Sequence, residues 1–508
     1  MFCHILSSTI QGISSVPVKI ELDISSGMPV FVMVGSVSAK VRESQDRVRT
    51  ALRNLDIHLP PKRITLSLSP GDVKKDGTAF DLPIAAALLT ALEKIPADSL
   101  SDCIVLGELH LNGDIAPVPG VLPCIITARS SGIKTCVIPY ENAAEAAAIE
   151  DMTVVGLKDL SELIEYCNDR SSGKYIYKRS ALNITQPSYP DFADIKGQHS
   201  VKRAALISAS GFHNLLLSGP PGSGKSMTAR RIPGIMPPLT KDEQIEVSGI
   251  YSVSGLLTPD NPLIRTRPFR SPHHLLSPQA LCGGGKVPTP GEITLAHRGV
   301  LFIDELPEMP GRTLDQLRAP LEDHSILISR IQGSYRFPAN FLFAAAMNPC
   351  PCGYFPDMNR CHCSEREIHA YLSKISHPIL DRIDLRVDVP AASYEELTTD
   401  AKDEVSSSVM REHVIRAFDI QQERYRDTGI HFNSELDPSE IKKYCVTSAE
   451  AGRLLEAAYC KLGLSARAYH RILKISRTIA DLESSDTICE AHISEAFCFR
   501  NRSSVPSV

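Results

Sequence analysis

The chain has 508 residues, which is too long for one ordinary hydrophobic core and predicts two or three domains. Its formal net charge of −5 weakens a histone-like coating role, so any nucleic-acid contact must come from local basic patches. No run approaches the roughly 18 consecutive apolar residues of a membrane span. The first residues also lack the basic and apolar regions of a signal peptide, so we expect a cytoplasmic protein without a membrane partner.

The amino-terminal part, residues 1–167, mixes short β-rich runs with amphipathic helices and predicts an α+β or α/β domain. The β-rich runs are VPVKIELDI, FVMVGSV, RITLSLS, CIVLGELHL and TCVIP. The helical patterns are SAKVRESQDRVRTALRNL and AFDLPIAAALLTALEKI. The polar segment 168–191, which contains Pro187 and Pro190, predicts a linker.

In residues 192–395, apolar strands such as NLLLSG, GVLFIDE and NFLFAAAMN alternate with helices, which is typical of a parallel α/β sheet. Residues 396–508 read as helical, beginning with the long pattern SSSVMREHVIRAFDIQQERYRD. Asp437 and Ser465 are predicted helix N-caps, and Gly463 is a predicted C-cap. The predicted fold is therefore α/β with a helical carboxy-terminal domain.

The segment GPPGSGKS, residues 219–226, follows a strand-like run and precedes a helix-like one, which is the context of a phosphate-binding loop. Lys225 would reach the β- and γ-phosphates of ATP, and Ser226 would bind Mg²⁺. The alternative is a glycine-rich turn without a ligand. The residues expected to bind ATP are Gly219, Pro220, Pro221, Gly222, Ser223, Gly224, Lys225, Ser226 and Met227.

Two further strand ends supply polar side chains. GVLFIDELPEM ends a strand on Asp304 and Glu305, and ligands bind outside the carboxyl ends of parallel strands. Asp304 would hold Mg²⁺ through water, and Glu305 would orient and deprotonate the attacking water, which favours hydrolysis. Asn348, at the end of NFLFAAAMN, is in position to orient the same water. The alternatives are a solvated acidic helix start and a turn asparagine.

Several long blocks resemble the magnesium-chelatase-like AAA+ ATPases of the YifB/ComM type. They are DIKGQHSVKRAALISASGFHNLLLSGPPGSGKS, RPFRSPHHLLSPQAL, GGGKVPTPGEITLAHRGVLFIDELPE, MNPCPCGYF, ILDRIDLRV and GLSARAYHRILKISRTIADL. The resemblance covers essentially the whole chain. It implies ATP and Mg²⁺ as cofactors, a homo-oligomeric ring that is typically a hexamer, and DNA as partner. Such rings drive branch migration as helicases during natural transformation.

The resemblance also assigns two arginines. In ILDRIDL, Arg382 matches the arginine finger that a neighbouring subunit supplies to the nucleotide. In LSARAYH, Arg467 matches the second sensor, which comes from the helical lid. The alternatives are a surface salt-bridge arginine for Arg382 and a locally paired arginine near a helix cap for Arg467.

The family carries two elements that face the pore of the ring. Here they correspond to a mobile loop rich in glycine and proline, residues 271–292, and to a hairpin, residues 326–341, with its turn at Gln332-Gly333-Ser334. Lys286, Arg330 and Arg336 are the candidate DNA-phosphate contacts, because charge neutralisation carries much of non-specific affinity. The alternative is that the arginines form salt bridges between subunits.

The amino-terminal domain resembles a Lon-type protease domain without its catalytic pair. In KKDGTAFDLPIA the serine position is Ala79, and the lysine position near PVPGVLPC is Leu122 or a neighbour, none of which is lysine. Nucleophile and general base are both absent, so we expect no peptidase activity and a scaffolding role.

Cys350, Cys352, Cys361 and Cys363 form a C-x-C-x₈-C-x-C pattern. Four thiolates can close a tetrahedral zinc site, although C-x-C is tighter than the usual spacing. Buried free thiols and redox pairing remain the alternatives.

These features favour an ATP-driven ring motor that acts on DNA, with branch migration as its expected activity. Two alternatives remain: a metal-chelatase motor working on tetrapyrroles, and an ATP-dependent protease or protein remodeller. The Lon-like domain argues against the first, and the missing serine–lysine pair argues against proteolysis.

Overall fold

The computed structural model describes residues 2–178, 189–330, 333–391 and 404–500. The described strands, numbered in chain order, are β1 Phe2–Gln11, β2 Ser14–Ser25, β3 Val30–Val34, β4 Arg63–Ser69, β5 Cys103–Val105, β6 Glu108–Leu109, β7 Ile115–Ala116, β8 Thr135–Pro139, β9 Thr153–Leu157, β10 Leu215–Ser218, β11 Phe269–Arg270, β12 Gly283–Gly284, β13 Thr289–Pro290, β14 Val300–Ile303, β15 Ser325–Arg330, β16 Gly333–Pro338, β17 Leu342–Met347 and β18 Leu385–Asp388.

The α-helices fall into three groups along the described chain. The amino-terminal helices are Ala39–Asn54, Asp81–Ala91, Val121–Ser130, Ala143–Ala146 and Leu160–Asn168. The central helices are His199–Gly211, Lys225–Ile235, Lys241–Val253, Pro278–Cys282, Glu292–Leu295, Gly311–Leu314, Pro320–Asp323, Glu365–Leu372 and His377–Leu380. The carboxy-terminal helices are Ser407–Arg424, Pro438–Tyr444, Ala449–Leu462, Ala466–Leu482 and Glu490–Arg500.

The amino-terminal domain is built on a seven-stranded sheet in the order β3-β4-β2-β1-β5-β8-β9. β1 and β4 run antiparallel to β2, and the remaining neighbours are parallel. The prediction that AFDLPIAAALLTALEKI forms an amphipathic helix is wrong, because every residue of helix Asp81–Ala91 is buried. The helix packs on β1 and β2 with one side and on helix Ala39–Asn54 with another, so it has no face left for water.

The start of the predicted linker lies against this sheet. Tyr177 donates its backbone N–H to the Val154 carbonyl at 2.7 Å, and Gly156 donates to the Tyr175 carbonyl at 3.1 Å. These bonds occupy the free edge of β9, which would otherwise expose unpaired backbone groups. Pro187 lies outside the described residues.

The central sheet has five parallel strands in the order β11-β14-β17-β10-β18, which confirms the predicted parallel sheet. All residues of β10, β14 and β17 are buried, as expected for strands covered by helices on both faces. The order puts β10 between β17 and β18. Because all these strands are parallel, the carboxyl ends of β10, β14 and β17 lie at the same edge of the sheet.

The carboxy-terminal helices begin and end where their caps predict. Asp437 accepts hydrogen bonds from the backbone N–H groups of Ser439 and Glu440 at 2.7 and 2.8 Å. Ser465 caps the helix Ala466–Leu482, and Gly463 ends the preceding helix with a φ of +59°. These helices share one hydrophobic core with the central sheet, so the lid and the sheet are continuous in their packing.

The amino-terminal domain is tied to the central domain through the buried carboxylate of Glu145. It accepts hydrogen bonds from the Leu122 backbone N–H at 3.0 Å and from the Ser252 hydroxyl. Gly120 also donates its backbone N–H to the Ser252 carbonyl at 2.9 Å. Burial raises the pKa of Glu145, and the hydrogen bonds from Ser252 and Leu122 offset part of that rise.

Candidate active site

The loop after β10 favours glycine at three positions, two because of backbone conformation and one because of limited space. Gly222 and Gly224 have φ values of +76° and +92°, in the left-handed region. A Cβ on Gly219 would lie 2.2 Å from the Val389 carbonyl oxygen, so no larger residue fits there. The loop leads into the helix Lys225–Ile235, whose positive N-terminal end attracts an anion.

Lys225 is held inside this loop by oxygen atoms. Its Nζ donates to the Gly219 carbonyl at 2.6 Å, to the Pro220 carbonyl at 2.8 Å and to Asn348 Oδ1 at 3.2 Å. Burial lowers the pKa of Lys225, and an anionic ligand would reverse that shift. The Ser223 hydroxyl is buried without a hydrogen-bond partner, which is a further open contact for a phosphate oxygen.

The two residues predicted to bind Mg²⁺ are in direct contact. Ser226 Oγ donates to Asp304 Oδ2 at 2.6 Å, and the second oxygen of Asp304 accepts from the Glu305 backbone N–H at 3.0 Å. Hydroxyl and carboxylate oxygens are the hard ligands that Mg²⁺ prefers, so this pair fits the ion.

Glu305 has an unusual backbone and a partner that the sequence did not reveal. Its φ is +51°, which is uncommon outside glycine and points to a functional constraint. Its Oε2 lies 3.3 Å from His274 Nδ1, and the Glu305 side chain is 56% exposed. The double histidine in SPHHLL, within the predicted insertion, was the only signal of this contact.

Both arginines matched to ring contacts lie away from this site. Asn214, which directly precedes β10, donates its side-chain amide to the Arg382 carbonyl at 2.8 Å. Arg382 is therefore at the starting end of β10, whereas the phosphate loop follows its other end. The Arg382 side chain pairs with Glu322, and Arg467 Nη2 lies 3.4 Å from the same carboxylate.

The two arginines line a common cleft of about 380 Å³, together with Arg471, Lys474 and Asp384. No phosphate-loop residue lines it. Sequence spacing could not reveal Glu322 as the shared partner, because it is distant in the chain from both arginines.

The structure brings two of the three candidate DNA contacts together. The predicted insertion is not simply a loop, since it folds into the helix Pro278–Cys282 and the antiparallel pair β12–β13 around Lys286. The predicted hairpin is present as β15 and β16, and Gln332 of its predicted turn lies outside the described residues. Arg330 donates to the Gly285 carbonyl at 3.4 Å, next to Lys286. In the described part of the chain, neither Lys286 nor Arg336 forms an ion pair, and both are exposed.

The positions matched to the Lon serine and lysine are packed into an apolar cluster. Leu122 is fully buried there, and Ala79 packs against the same group. The region offers neither a hydroxyl nucleophile nor a base at these positions.

Near the phosphate loop, the four clustered cysteines lie with all their Sγ atoms within 4.8 Å of one another.

The described helices include none that is both long enough and apolar enough to cross a membrane.

Comparison with known proteins identifies the family. Family models of magnesium chelatase subunit ChlI match residues 20–142 and 191–397, and a model of the ChlI C-terminal region matches 404–500. Competence protein ComM of Haemophilus influenzae is 41% identical over 500 residues, which is 98% of this chain and 97% of that protein. The chain belongs to the ComM/YifB family of magnesium-chelatase-like AAA+ ATPases.

Other relatives agree with this family and with the fold of the amino-terminal domain. Protein YifB of Salmonella typhimurium is 40% identical over 491 residues, covering 96% of this chain and 95% of that protein. Lon protease 2 of Bacillus subtilis is 32% identical over 139 residues, 26% of this chain and 25% of that protein. The family implies ATP and Mg²⁺ as cofactors, and the candidate site lies at the carboxyl ends of parallel strands, which is where ligands bind in open α/β sheets.

Proposed function

We propose that the chain is an ATP-hydrolysing ring motor that acts on DNA as a branch-migration helicase in recombination or natural transformation. The observation that carries the proposal is the separation between the phosphate loop and the arginine pair Arg382–Arg467. Arg382 lies at the starting end of β10 and Arg467 contacts the same Glu322, whereas the phosphate loop follows the other end of β10. This arrangement supports a site that a second subunit completes. One relative that is 41% identical is named a competence protein, which supports the biological setting.

In the proposed reaction, Lys225 and the loop backbone bind the phosphates, and Ser226 and Asp304 hold Mg²⁺. The ion, when bound, offsets negative charge on the β- and γ-phosphates. Glu305 orients the attacking water and accepts its proton, while Asn348 positions the same water from the neighbouring strand. Arg382 of the adjacent subunit stabilises transition-state charge. That subunit is a homo-oligomer partner in a ring expected to be a hexamer.

The contact between His274 and Glu305 supports coupling between the pore-facing insertion and hydrolysis. While His274 holds one carboxylate oxygen at 3.3 Å, Glu305 has one oxygen fewer for water. DNA that moves the insertion would release Glu305. This gives a direct route by which a bound strand accelerates ATP turnover.

The proposed DNA contacts are Lys286, Arg330 and Arg336. Arg330 and Lys286 come together through Gly285, which joins hairpin and insertion into one basic surface. Exposed cations without a carboxylate partner are available for strand phosphates.

The first test measures ATP hydrolysis with forked and single-stranded DNA. Glu305→Gln should abolish turnover while ATP still binds. If DNA of any structure leaves hydrolysis unchanged and no binding occurs at low salt, the proposal fails.

The second test replaces the basic surface with K286A/R330A/R336A. The triple variant should weaken DNA binding and reduce the salt slope of log K by about 2, at roughly 0.7 per lost single-strand contact. Arg453→Ala, which removes an exposed arginine of the helical domain, is the matched control and should leave the slope unchanged. An unchanged slope in the triple variant would reject these residues as DNA contacts.

The matches to ChlI models favour one alternative, a metal-chelatase-type or protein-remodelling AAA+ motor. This motor would hydrolyse ATP with the same residues but respond to a protein partner instead of DNA. Casein degradation by the purified chain would indicate the protease variant of this alternative, which the loss of the serine–lysine pair opposes.

A further inference from the structure

A cluster of four cysteines lies directly beside the nucleotide site and contains none of the residues assigned above to ATP hydrolysis. Cys350 Sγ lies 3.3 Å from Cys352 Sγ and 3.8 Å from Cys361 Sγ, and Cys352 and Cys361 are 3.5 Å apart. Cys363 completes the group, with all four sulfurs within 4.8 Å.

These distances fit a single tetrahedral ion better than disulfides. With Zn–S bonds of about 2.3 Å, the sulfurs of a tetrahedral site are about 3.8 Å apart. A disulfide requires about 2.05 Å between sulfurs, far below the spacings here. The tight C-x-C spacing therefore does not prevent the four sulfurs from surrounding one ion.

Backbone donors hold one sulfur of the cluster in place. The backbone N–H groups of Gly353 and Phe355 donate to Cys350 Sγ at 3.2 and 3.4 Å. Cys350 is fully buried and Cys361 is 4% exposed, so the ion would be shielded from solvent on one side.

We propose that Cys350, Cys352, Cys361 and Cys363 bind one structural Zn²⁺ ion. On binding, each thiol releases its proton to solvent, and the four thiolates fill the coordination sphere with no open position for a substrate. The proposed zinc site is structural and has no catalytic role.

The zinc site would connect the segment after Asn348 to the start of helix Glu365–Leu372. Cys350 is two residues from Asn348, which contacts Lys225 at 3.2 Å. On the other side, Cys363 directly precedes Ser364, the N-cap of helix Glu365–Leu372.

The loop inside the cluster also touches the phosphate loop. A Cβ on Gly353 would lie 2.5 Å from Pro221 Cδ and 3.7 Å from Asn348 Cγ. Loss of the ion would therefore release the loop that packs against both the phosphate loop and Asn348. We expect hydrolysis to suffer more than ATP binding, because Lys225 and its loop would remain.

The test begins with full-length wild-type protein purified without chelators. Elemental analysis should find one zinc ion per chain, and a mercurial thiol reagent should release it to a chromogenic chelator. X-ray absorption at the zinc edge should fit four sulfurs at about 2.3 Å. Zinc well below one ion per chain, or a shell containing nitrogen or oxygen, would overturn the proposal. Iron in place of zinc, with its visible absorption, would overturn the choice of metal.

The variant C361S/C363S should lose at least tenfold in zinc content, whereas Cys460→Ser, an exposed cysteine outside the cluster, should retain it. Because the double variant can misfold, the wild-type measurements above test the site without any substitution. In a soluble double variant we expect hydrolysis to fall at least tenfold and the Kd for ATP to change less than threefold. Full zinc content in the double variant would refute the ligand assignment, whatever its ATPase rate. This outcome would not bear on the proposed motor function, which the DNA-stimulated hydrolysis assay tests separately.

Discussion

Mixing two inactive variants tests whether the arginines act between subunits. Lys225→Ala removes the proposed phosphate contact, and Arg382→Ala removes the proposed arginine finger, whose loss costs about 10³–10⁵ in turnover. Within one chain the two residues lie at opposite ends of β10, whose four residues span about 13 Å. The Arg382 side chain pairs with Glu322 at the starting end of β10, away from the phosphate loop of its own subunit.

The magnitude follows from ring assembly with repeated head-to-tail interfaces. In an equimolar random mixture, an active interface needs its phosphate loop from the Arg382→Ala chain and its arginine from the Lys225→Ala chain. Each condition holds for half of the subunits, so about a quarter of the interfaces are complete. We expect the mixture to recover up to that share of wild-type hydrolysis, although each variant alone is inactive.

The same experiment decides the role of Arg467. Because Arg467 and Arg382 share Glu322, we expect Arg467→Ala to complement Lys225→Ala equally well. A lid arginine that served its own subunit's nucleotide would give no recovery. Steady-state phosphate release, measured after co-refolding or subunit exchange, is the assay. If both mixtures are no more active than the separate variants, the reasoning from the sheet edges is refuted.

Three further outcomes follow from individual contacts. His274→Ala should raise basal hydrolysis by up to about fivefold, because it removes the 3.3 Å contact with the half-exposed Glu305, which contributes ~0.2–1 kcal/mol. His273→Ala should not raise the rate, and a fall in rate for His274→Ala would contradict this. Asp481→Ala should cost ~3–5 kcal/mol in urea unfolding of the helical domain, because it leaves two arginines without their fully buried carboxylate; a loss below 1 kcal/mol would argue against that network. The pKa of Glu145 is raised in the folded state, so its contribution to stability is present below its unfolded pKa and is lost as pH rises through its folded pKa. Glu145→Gln should remove this pH dependence of the urea midpoint. An unchanged pH dependence in the variant would exclude Glu145 as its source.

The parts of the site that come from continuous segments were predictable from the sequence. The phosphate loop, Asp304 and Asn348 each follow an apolar strand, and parallel strands bring their carboxyl ends to one edge. The clustering of the four cysteines was predictable because all four lie within one short segment of the sequence.

The contacts that depend on tertiary packing were not predictable. Glu322 approaches Arg382 and Arg467 from a separate helix, and no spacing links these residues. The helix Asp81–Ala91 looked amphipathic because its ends carry the polar residues, whereas a helix and a sheet cover its whole surface. The hidden role of Leu122, whose backbone supports the junction at Glu145, likewise arises only from folding.

The shared carboxylate of Glu322 has a consequence for how the protein behaves at different abundances. In a lone subunit Glu322 pairs with both Arg382 and Arg467, and the nucleotide site would lack the cation that we propose a neighbouring subunit supplies. Specific ATPase activity should therefore rise with protein concentration until rings are saturated. Dilution alone would lower the ATPase activity, so that a cell making few copies would hydrolyse little ATP through unassembled chains.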